Sequence, residues 1–293
     1  MNTAAKDQRL KSFWSWIQDP IVGWSQDHGL MFSAAIAFFA AFSLAPTLVI
    51  IIAVASIFFG ADAVQGRLFG EIAGIVGADA AHGLEAIVAN AWHADIATRT
   101  AILSGVGVLI GASATFSSLY TALNVIWPAP VTSTRASIIA LLRVRAISFA
   151  FVLGAALLIV ALLVLDALVV LVGQWVLGTN GPSFLIAAIA QRAISLVMMV
   201  LAFAVLLKFL PRARMQWRDA ALGAATAAVL FEGGKRLFAF YLQHAGTANT
   251  FGAAGSFAII LMWLYYSAAV FLLGAEVSAM VARRRTQRTS GWR

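Results

Sequence analysis

Five charged residues lie inside stretches that are otherwise apolar, and ion pairing or anion binding is the chemistry they could perform. Glu232, Lys235 and Arg236 form one group, and Asp166 and Arg192 each stand alone in an apolar run. A charge near the middle of a bilayer costs roughly 2.5 to 3.5 kcal/mol, so such groups are normally turned inward, paired and placed on a ligand path. We therefore take these residues as the candidate substrate-binding site.

The spacing around Glu232 favours an ion pair. Lys235 and Arg236 follow it by three and four residues, so both can share its helix face, and an acid on the N-terminal side is the better order. One carboxylate neutralises only one of these cations, while Asp166 is the natural partner of Arg192. Two interpretations stay open: permanent ion pairs that hold the helices together, or a cavity whose spare cation binds an anionic group.

Predicted depth groups the same residues. Counted at 1.5 Å per residue from the expected outer helix ends, the three cations lie about 12 Å deep and the two acids about 16 Å deep. Gly233-Gly234, between the charges, is the one candidate for a broken helix, which would favour a transporter. Their plainer role is to let a neighbouring helix approach.

Composition sets the class of protein that must position these charges. The chain has 293 residues, of which 62% are hydrophobic and 11% charged, against about 25% charged in soluble domains. This composition predicts an all-α integral membrane protein. The absence of Cys from the sequence excludes a disulfide framework, a thiolate metal site and a Cys nucleophile.

Runs of about 20 apolar residues suffice to span a bilayer, and the sequence predicts six transmembrane helices within a domain of residues 30–282. The spans are expected at 30–61, 101–127, 146–177, a fourth ending near 207, 219–243 and 256–281. Residues 62–99 are acidic with helical apolar spacing, which predicts a periplasmic insertion of two amphipathic helices. Residues 1–29 are expected to form an interfacial cytoplasmic segment, and residues 283–293 a basic cytoplasmic tail.

The basic residues also predict the orientation. Of the 20, 15 fall in the N-terminal segment, the tail and the two loops that the six-span topology places on the same side. Because cytoplasmic loops carry an excess of Lys and Arg, both termini are expected in the cytoplasm. The expected location is the bacterial inner membrane.

Glu276 and the acidic residues around His82 also need an interpretation. Glu276 lies near the inner end of the last span, where we expect a structural or switching charge paired with Arg218 or Arg143. His82 lies three residues from both Asp79 and Glu85, which is a conceivable metal face, but a solvated acidic face is favoured because metal sites need more convergent ligands. No metal, cofactor or catalytic residue is predicted.

Several motifs carry a resemblance that covers nearly the whole chain. They are Asp27-His28-Gly29, residues 122–127, Trp217-Arg218-Asp219, Glu232 with Lys235, residues 251–255, and residues 261–266 leading to Glu276. In these residues the chain resembles the YihY / virulence factor BrkB family, formerly mislabelled the ribonuclease BN family. The resemblance implies a six-helix bacterial inner-membrane protein. It implies no settled activity, since members of the family are described either as transporters or as envelope factors.

The residues themselves argue against a nuclease. There is no His-rich metal motif and no Walker A sequence, and the basic loops are explained by topology and attraction to anionic lipid. We therefore expect membrane lipids, anionic ones among them, as partners and no nucleic acid. A transporter or flippase of an amphiphilic anion, such as a lipid or envelope precursor, is the favoured function. The alternatives are a non-transporting scaffold with structural ion pairs and, less favoured, an intramembrane enzyme.

Overall fold

The computed structural model describes residues 3–92, 99–128, 182–213, 215–245 and 248–290, together with the single positions 146, 150, 154 and 157. All regular secondary structure in these ranges is helical, which confirms the all-α class. The helices are α1 (Thr3–Gln26), α2 (Gly29–Phe59), α3 (Ala61–Val76), α4 (Ala78–Trp92), α5 (Arg99–Ile126), α6 (Pro182–Phe209), α7 (Trp217–Ala245) and α8 (Ala248–Ser290).

Three of these helices are long and apolar enough to cross a membrane. The qualifying segments are Gly29–Phe58 in α2, Arg192–Phe209 in α6 and Gly255–Gln287 in α8. Helices α5 and α7 occupy the second and fifth predicted spans, whereas the third, 146–177, falls almost entirely outside the described residues. The total of six spans therefore stays a prediction.

The segment between the first two predicted spans forms α3 and α4, the pair of helices expected there. Gly60 and Gly77 lie immediately before α3 and α4 and have φ angles of 79° and 89°. This backbone conformation costs glycine little because it has no Cβ. The apolar faces pack on α2, α7 and α8, through the buried residues Val64, Leu68, Phe69, Val76, Leu84 and Val88. Their periplasmic location stays a prediction.

The largest buried cluster joins α2, α5, α6, α7 and α8 around Leu123, Leu207 and Leu272. Helices α7 and α8 approach most closely at a pair of glycines: a Cβ placed on Gly223 would lie 2.4 Å from the carbonyl oxygen of Gly274. Small residues at a crossing let two backbones come together, which is how helices in membranes gain contact area.

The two ends of the bundle differ in composition. Helices α3 and α4 cover one end, where they contact the second half of α2, the C-terminal half of α7 and the first half of α8. The opposite end holds Arg212, Arg283, Arg284 and Arg285, because α8 continues unbroken through the basic segment as far as Ser290. The cations thus collect at one end of the bundle.

Candidate functional site

The charged group in α7 lies at the middle of that helix. Glu232 is fifteen residues after Trp217 and thirteen before Ala245. The Lys235 ammonium donates a hydrogen bond of 3.1 Å to Glu232 Oε2, and the two side chains are 33% and 41% exposed. One helix turn brings these groups together, so the structure assigns the carboxylate of Glu232 to Lys235 rather than to Arg236.

Helix α7 is continuous through Gly233 and Gly234, so the break that the sequence allowed is absent. A Cβ on Gly234 would lie 2.0 Å from the ring of Tyr266, whereas one on Gly233 would meet nothing within 4 Å. The hydroxyl of Tyr266 donates to the carbonyl oxygen of Leu230 at 2.7 Å. Gly234 therefore makes room for a side chain of α8, which is the plainer of the two predicted roles.

The other two predicted cations are exposed. Arg236 is one residue beyond Lys235 on α7, and Arg192 lies on α6; their side chains make no ion pair with any residue that the structure describes. Asp166, the expected partner of Arg192, lies outside the described residues. Among the charges of the candidate site that are described, only Glu232 and Lys235 are brought together.

A ring contact between α6 and α7 allows the depths of Arg192 and Arg236 to be compared. The ring centroids of Phe203 and Phe231 lie 6.0 Å apart. Measured along the helices from that contact, Arg192 is eleven residues or about 16.5 Å away, and Arg236 is five residues or about 7.5 Å away. Along the helix axes the two cations therefore differ by about 9 Å, whereas counting residues from the expected helix ends gave both the same depth.

Glu276 and Asp219 are the two buried acids in the described part of the chain, each with 2% of its surface exposed. It does not pair with Arg218, which is exposed, and Arg143 lies outside the described residues. Its carboxyl group lies against Gly23 of α1, where a Cβ would be 2.9 Å from Oε2, and its Oε1 is buried without a hydrogen-bond partner among the described residues. A pairing of Glu276 with Arg143 therefore stays a prediction.

Two ion pairs that sequence reasoning missed hold the basic end of α8. Nη1 and Nη2 of Arg285 donate hydrogen bonds to the buried carboxylate of Asp219, at 3.2 and 3.0 Å. Arg284 contacts Asp19 of α1 at 2.5 Å and lies 4.6 Å from the ring centroid of Trp16. The sequence did contain a sign of these pairs. Asp19 and Asp219 are acids in segments otherwise rich in basic residues, and those segments were predicted on the same side of the membrane as Arg284 and Arg285.

The motif at residues 122–127 joins α5 to its neighbours at the same end. The Asn124 side-chain oxygen accepts a hydrogen bond from the backbone of Arg212 at 3.0 Å, and Trp127 Nε1 donates to Ser278 at 3.1 Å. Arg283 donates to the carbonyl oxygen of Ile126 at 3.3 Å, beside an open groove of about 410 Å³. The groove is lined by Ile126, Trp127, Pro128, Ala279, Ala282, Arg283, Thr286 and Gln287.

Two residues of the predicted metal face, His82 and Glu85, have side chains that the structure describes, whereas the side chain of Asp79 lies outside the described part. His82 Nδ1 lies 3.2 Å from Glu85 Oε2, and both side chains are exposed. Among the described residues no group of three His, Cys, Asp or Glu side chains is close enough to hold a metal ion.

Comparison with known proteins identifies the family to which these residues belong. The model of the family described as virulence factor BrkB matches residues 21–293. The chain belongs to the virulence factor BrkB family. This confirms the resemblance seen in the sequence motifs, and it places both the α7 charges and Glu276 within the part that characterises BrkB proteins.

Curated relatives carry names that state only a membrane location. A UPF0761 membrane protein of Tolumonas auensis is 41% identical over 85 residues, which cover 29% of this chain and 28% of the relative. A UPF0761 membrane protein of Paraburkholderia xenovorans is 37% identical over 79 residues, which cover 27% of this chain and 18% of the relative. Another, of Klebsiella pneumoniae subsp. pneumoniae, is 32% identical over 99 residues, which cover 33% of this chain and 35% of the relative. The chain thus spans about a fifth to a third of the length of these relatives. No solved structure matches it.

Proposed function

We propose that this BrkB-family protein is a multi-pass protein of the bacterial inner membrane with both termini in the cytoplasm. Support comes from the three apolar helices, from the relatives named as membrane proteins, and from the collection of basic residues at one end of the bundle. Cytoplasmic segments of inner-membrane proteins carry such an excess. The α3–α4 pair then faces the periplasm.

We propose further that the protein binds and moves an amphiphilic anion, a lipid or an envelope precursor. The observation that carries this proposal is Arg236. It lies nine residues before the end of α7 and is exposed, and it makes no ion pair with the residues that the structure describes, while the neighbouring Lys235 pairs with Glu232. A cation without a partner inside a bilayer is costly, and an anionic headgroup held against it would offset this cost.

The other charges take supporting roles in the proposal. Glu232 and Lys235 form a neutral pair that can open to admit a second negative charge, and Arg192 with Asp166 would form the equivalent pair on the neighbouring helix. Arg283, at the edge of the groove beside Trp127, offers a cation and an indole at the cytoplasmic end. These features suit an amphiphile with a charged head and apolar chains. No enzymatic step is included in the proposal.

A scaffold without transport is the second candidate, and a specific contact favours it. Gly234 packs under Tyr266 beside the Glu232–Lys235 pair, so these charges lie at a helix interface. In that role, removing Lys235 alone would leave an uncompensated carboxylate at the helix interface and lower the melting temperature. Removing both partners would restore most of the stability.

The two candidates are separated by native mass spectrometry of the purified protein for co-isolated anionic lipid, with melting measured on the same samples. Arg236→Gln should melt as the unmodified protein does and lose anionic lipid about tenfold, since one hydrogen bond between charged groups, worth about 1.5 kcal/mol, is removed. Arg218→Gln is the matched control, because Arg218 is an exposed arginine at the other end of the same helix.

The scaffold candidate predicts a different pattern. Every loss of lipid would then accompany a loss of melting temperature, and the double change Glu232→Gln with Lys235→Gln would rescue both. Equal lipid retention in Arg236→Gln and Arg218→Gln would remove the observation on which the transport proposal rests.

A further inference from the structure

The groove between the end of α5 and the last turns of α8 is apolar inside and polar at its edge. Of the residues that line it, Ile126 and Ala279 are buried, whereas Arg283, Thr286 and Gln287 are exposed. Its volume of about 410 Å³ lies within the range of small-molecule pockets, roughly 300 to 1,000 Å³. The groove therefore has room for a charged group and the beginning of an apolar chain.

Two alanines of α8 keep the groove open. Ala279 and Ala282 share a face with Arg283, because residues three and four apart in a helix are neighbours. Their small side chains leave space beside Trp127, whose indole nitrogen donates to Ser278 Oγ at 3.1 Å. This hydrogen bond fixes the indole at one wall of the groove.

Arg283 is held at the edge of the groove by a single hydrogen bond. Its Nη2 donates to the carbonyl oxygen of Ile126 at 3.3 Å. A guanidinium has five N–H donors in a rigid fork that matches the oxygens of a phosphate. Within the described part of the chain the contact with Ile126 uses one of them, so the others can bind an anion in the groove.

The charges next to Arg283 along α8 are already matched. Arg284 pairs with Asp19, and Arg285 pairs with Asp219. Arg283 makes no ion pair with the residues that the structure describes. One positive charge of this cluster therefore lies beside the groove without a carboxylate in contact.

The surrounding sequence offers little to neutralise that charge. Glu276, the preceding acid of α8, is seven residues before Arg283, or about 10.5 Å along the helix axis. Residues 129–145, which follow Pro128 of the groove, contain three arginines and no acid. This composition favours an anion from outside the chain as the partner of Arg283.

The walls of the groove favour a lipid over a soluble anion. Tryptophan is enriched at the level of lipid headgroups, and Trp127 ends a predicted span. Basic residues beside the cytoplasmic leaflet attract its anionic lipids. The apolar wall at Ile126 and Ala279 suits an acyl chain and offers nothing to free phosphate.

We propose that this groove binds an anionic phospholipid of the cytoplasmic leaflet. Arg283 donates to the phosphate, and one acyl chain begins along Ile126 and Ala279. The orientation of this end toward the cytoplasm rests on the proposed function, to which the groove adds a class of lipid and a place that holds it. The site is separate from the charges of α7, and binding there requires no movement of lipid across the membrane.

Photo-crosslinking locates the lipid. The full chain is reconstituted into phosphatidylcholine vesicles that contain a small amount of photoactivatable phosphatidylglycerol, and the adducts are mapped by peptide mass spectrometry. Adducts at residues 126–128 and 279–287 should be about fivefold more frequent than with photoactivatable phosphatidylcholine, the factor for one basic residue facing a net negative rather than a neutral headgroup. Equal labelling by the two lipids in the unmodified protein would overturn the proposal, whatever the variants do.

Three variants separate the groove from the charge of the surface. Arg283→Gln should remove the preference for phosphatidylglycerol, whereas Arg218→Gln, which removes an exposed arginine at the same end of the bundle, should keep it. Ala282→Leu keeps the charge of Arg283 but fills the groove, so it should also lower the phosphatidylglycerol adducts. A preference that survives in Arg283→Gln or in Ala282→Leu would contradict a site in the groove.

Two further arms distinguish the source of the anion and the role of transport. Inorganic phosphate at the concentration of the lipid should leave the adducts unchanged, and their suppression would overturn the assignment to a lipid. Arg236→Gln should also leave them unchanged, and their loss in that variant would contradict a separate site. Failure of lipid exchange between leaflets would overturn the transport proposal while leaving the groove adducts in place.

Discussion

The crossing of α7 and α8 makes the sharpest stability prediction, through the change Gly223→Ala. The new methyl group would lie 2.4 Å from the backbone oxygen of Gly274 and 2.8 Å from Ser278 Cβ. Ordinary contact begins at 3.4 Å, and neither neighbouring atom can rotate away. Because helix backbones are stiff, α8 must retreat by about 1 Å, which forfeits up to half of the dispersion energy of each displaced contact.

Gly233→Ala is the matched control in the same helix. A Cβ there meets nothing within 4 Å, so the variant gains only helix propensity, up to about 1 kcal/mol. Gly223→Ala gains the same propensity and loses about 2 to 3 kcal/mol to overpacking. The difference between the two variants is therefore the steric cost alone, and it should appear as a melting temperature lower by roughly 5 °C or more in Gly223→Ala.

Intrinsic tryptophan fluorescence during thermal unfolding in detergent measures this difference. Equal melting temperatures for Gly223→Ala and Gly233→Ala would refute the close crossing of α7 and α8. A higher melting temperature for Gly223→Ala than for the unmodified protein would refute it more strongly, because propensity would then be the only effect.

Three further outcomes are expected. Arg285→Gln should lower stability by up to about 3 kcal/mol, since it leaves the buried Asp219 carboxylate without its charged partner, and adding Asp219→Asn should recover most of the loss in the same melting assay. Tyr266→Phe should cost about 1 kcal/mol through its lost hydrogen bond to α7, and an unchanged melting temperature would argue against that bond. In this Cys-free chain, Asn180→Cys should react with an impermeant maleimide from outside and Ala213→Cys only from the cytoplasm; the reverse would invert the proposed orientation.

Contacts between neighbouring residues could be predicted from the sequence, because helix geometry alone determines them. The ion pair of Glu232 with Lys235 needs only three residues of spacing. The two helices between residues 61 and 92 follow from apolar periodicity and from the glycines that begin them. The continuity of α7 through Gly233-Gly234 was harder to predict, since glycine weakens helices in water, whereas a bilayer offers the backbone no competing partners.

Contacts between distant segments could not be predicted in the same way. The carboxyl group of Glu276 lies against Gly23, 253 positions earlier in the chain, and this contact depends on how α1 packs on α8. The pairing of Asp219 with Arg285 likewise depends on how α7 crosses α8. Counting residues gave one depth for Arg192 and Arg236, but the Phe203–Phe231 contact shows that adjacent helices need not be in register.

Movement of lipid across a bilayer tests the proposed function most directly. The protein is reconstituted into vesicles that contain a fluorescent phosphatidylglycerol analogue, and an impermeant quencher reports how fast the inner-leaflet analogue becomes accessible. We expect the unmodified protein and Arg218→Gln to accelerate this exchange. Arg236→Gln should not accelerate it, although this variant should melt at the same temperature as the unmodified protein. Exchange that is equally fast with Arg236→Gln, or no faster with the unmodified protein than in protein-free vesicles, would contradict this expectation.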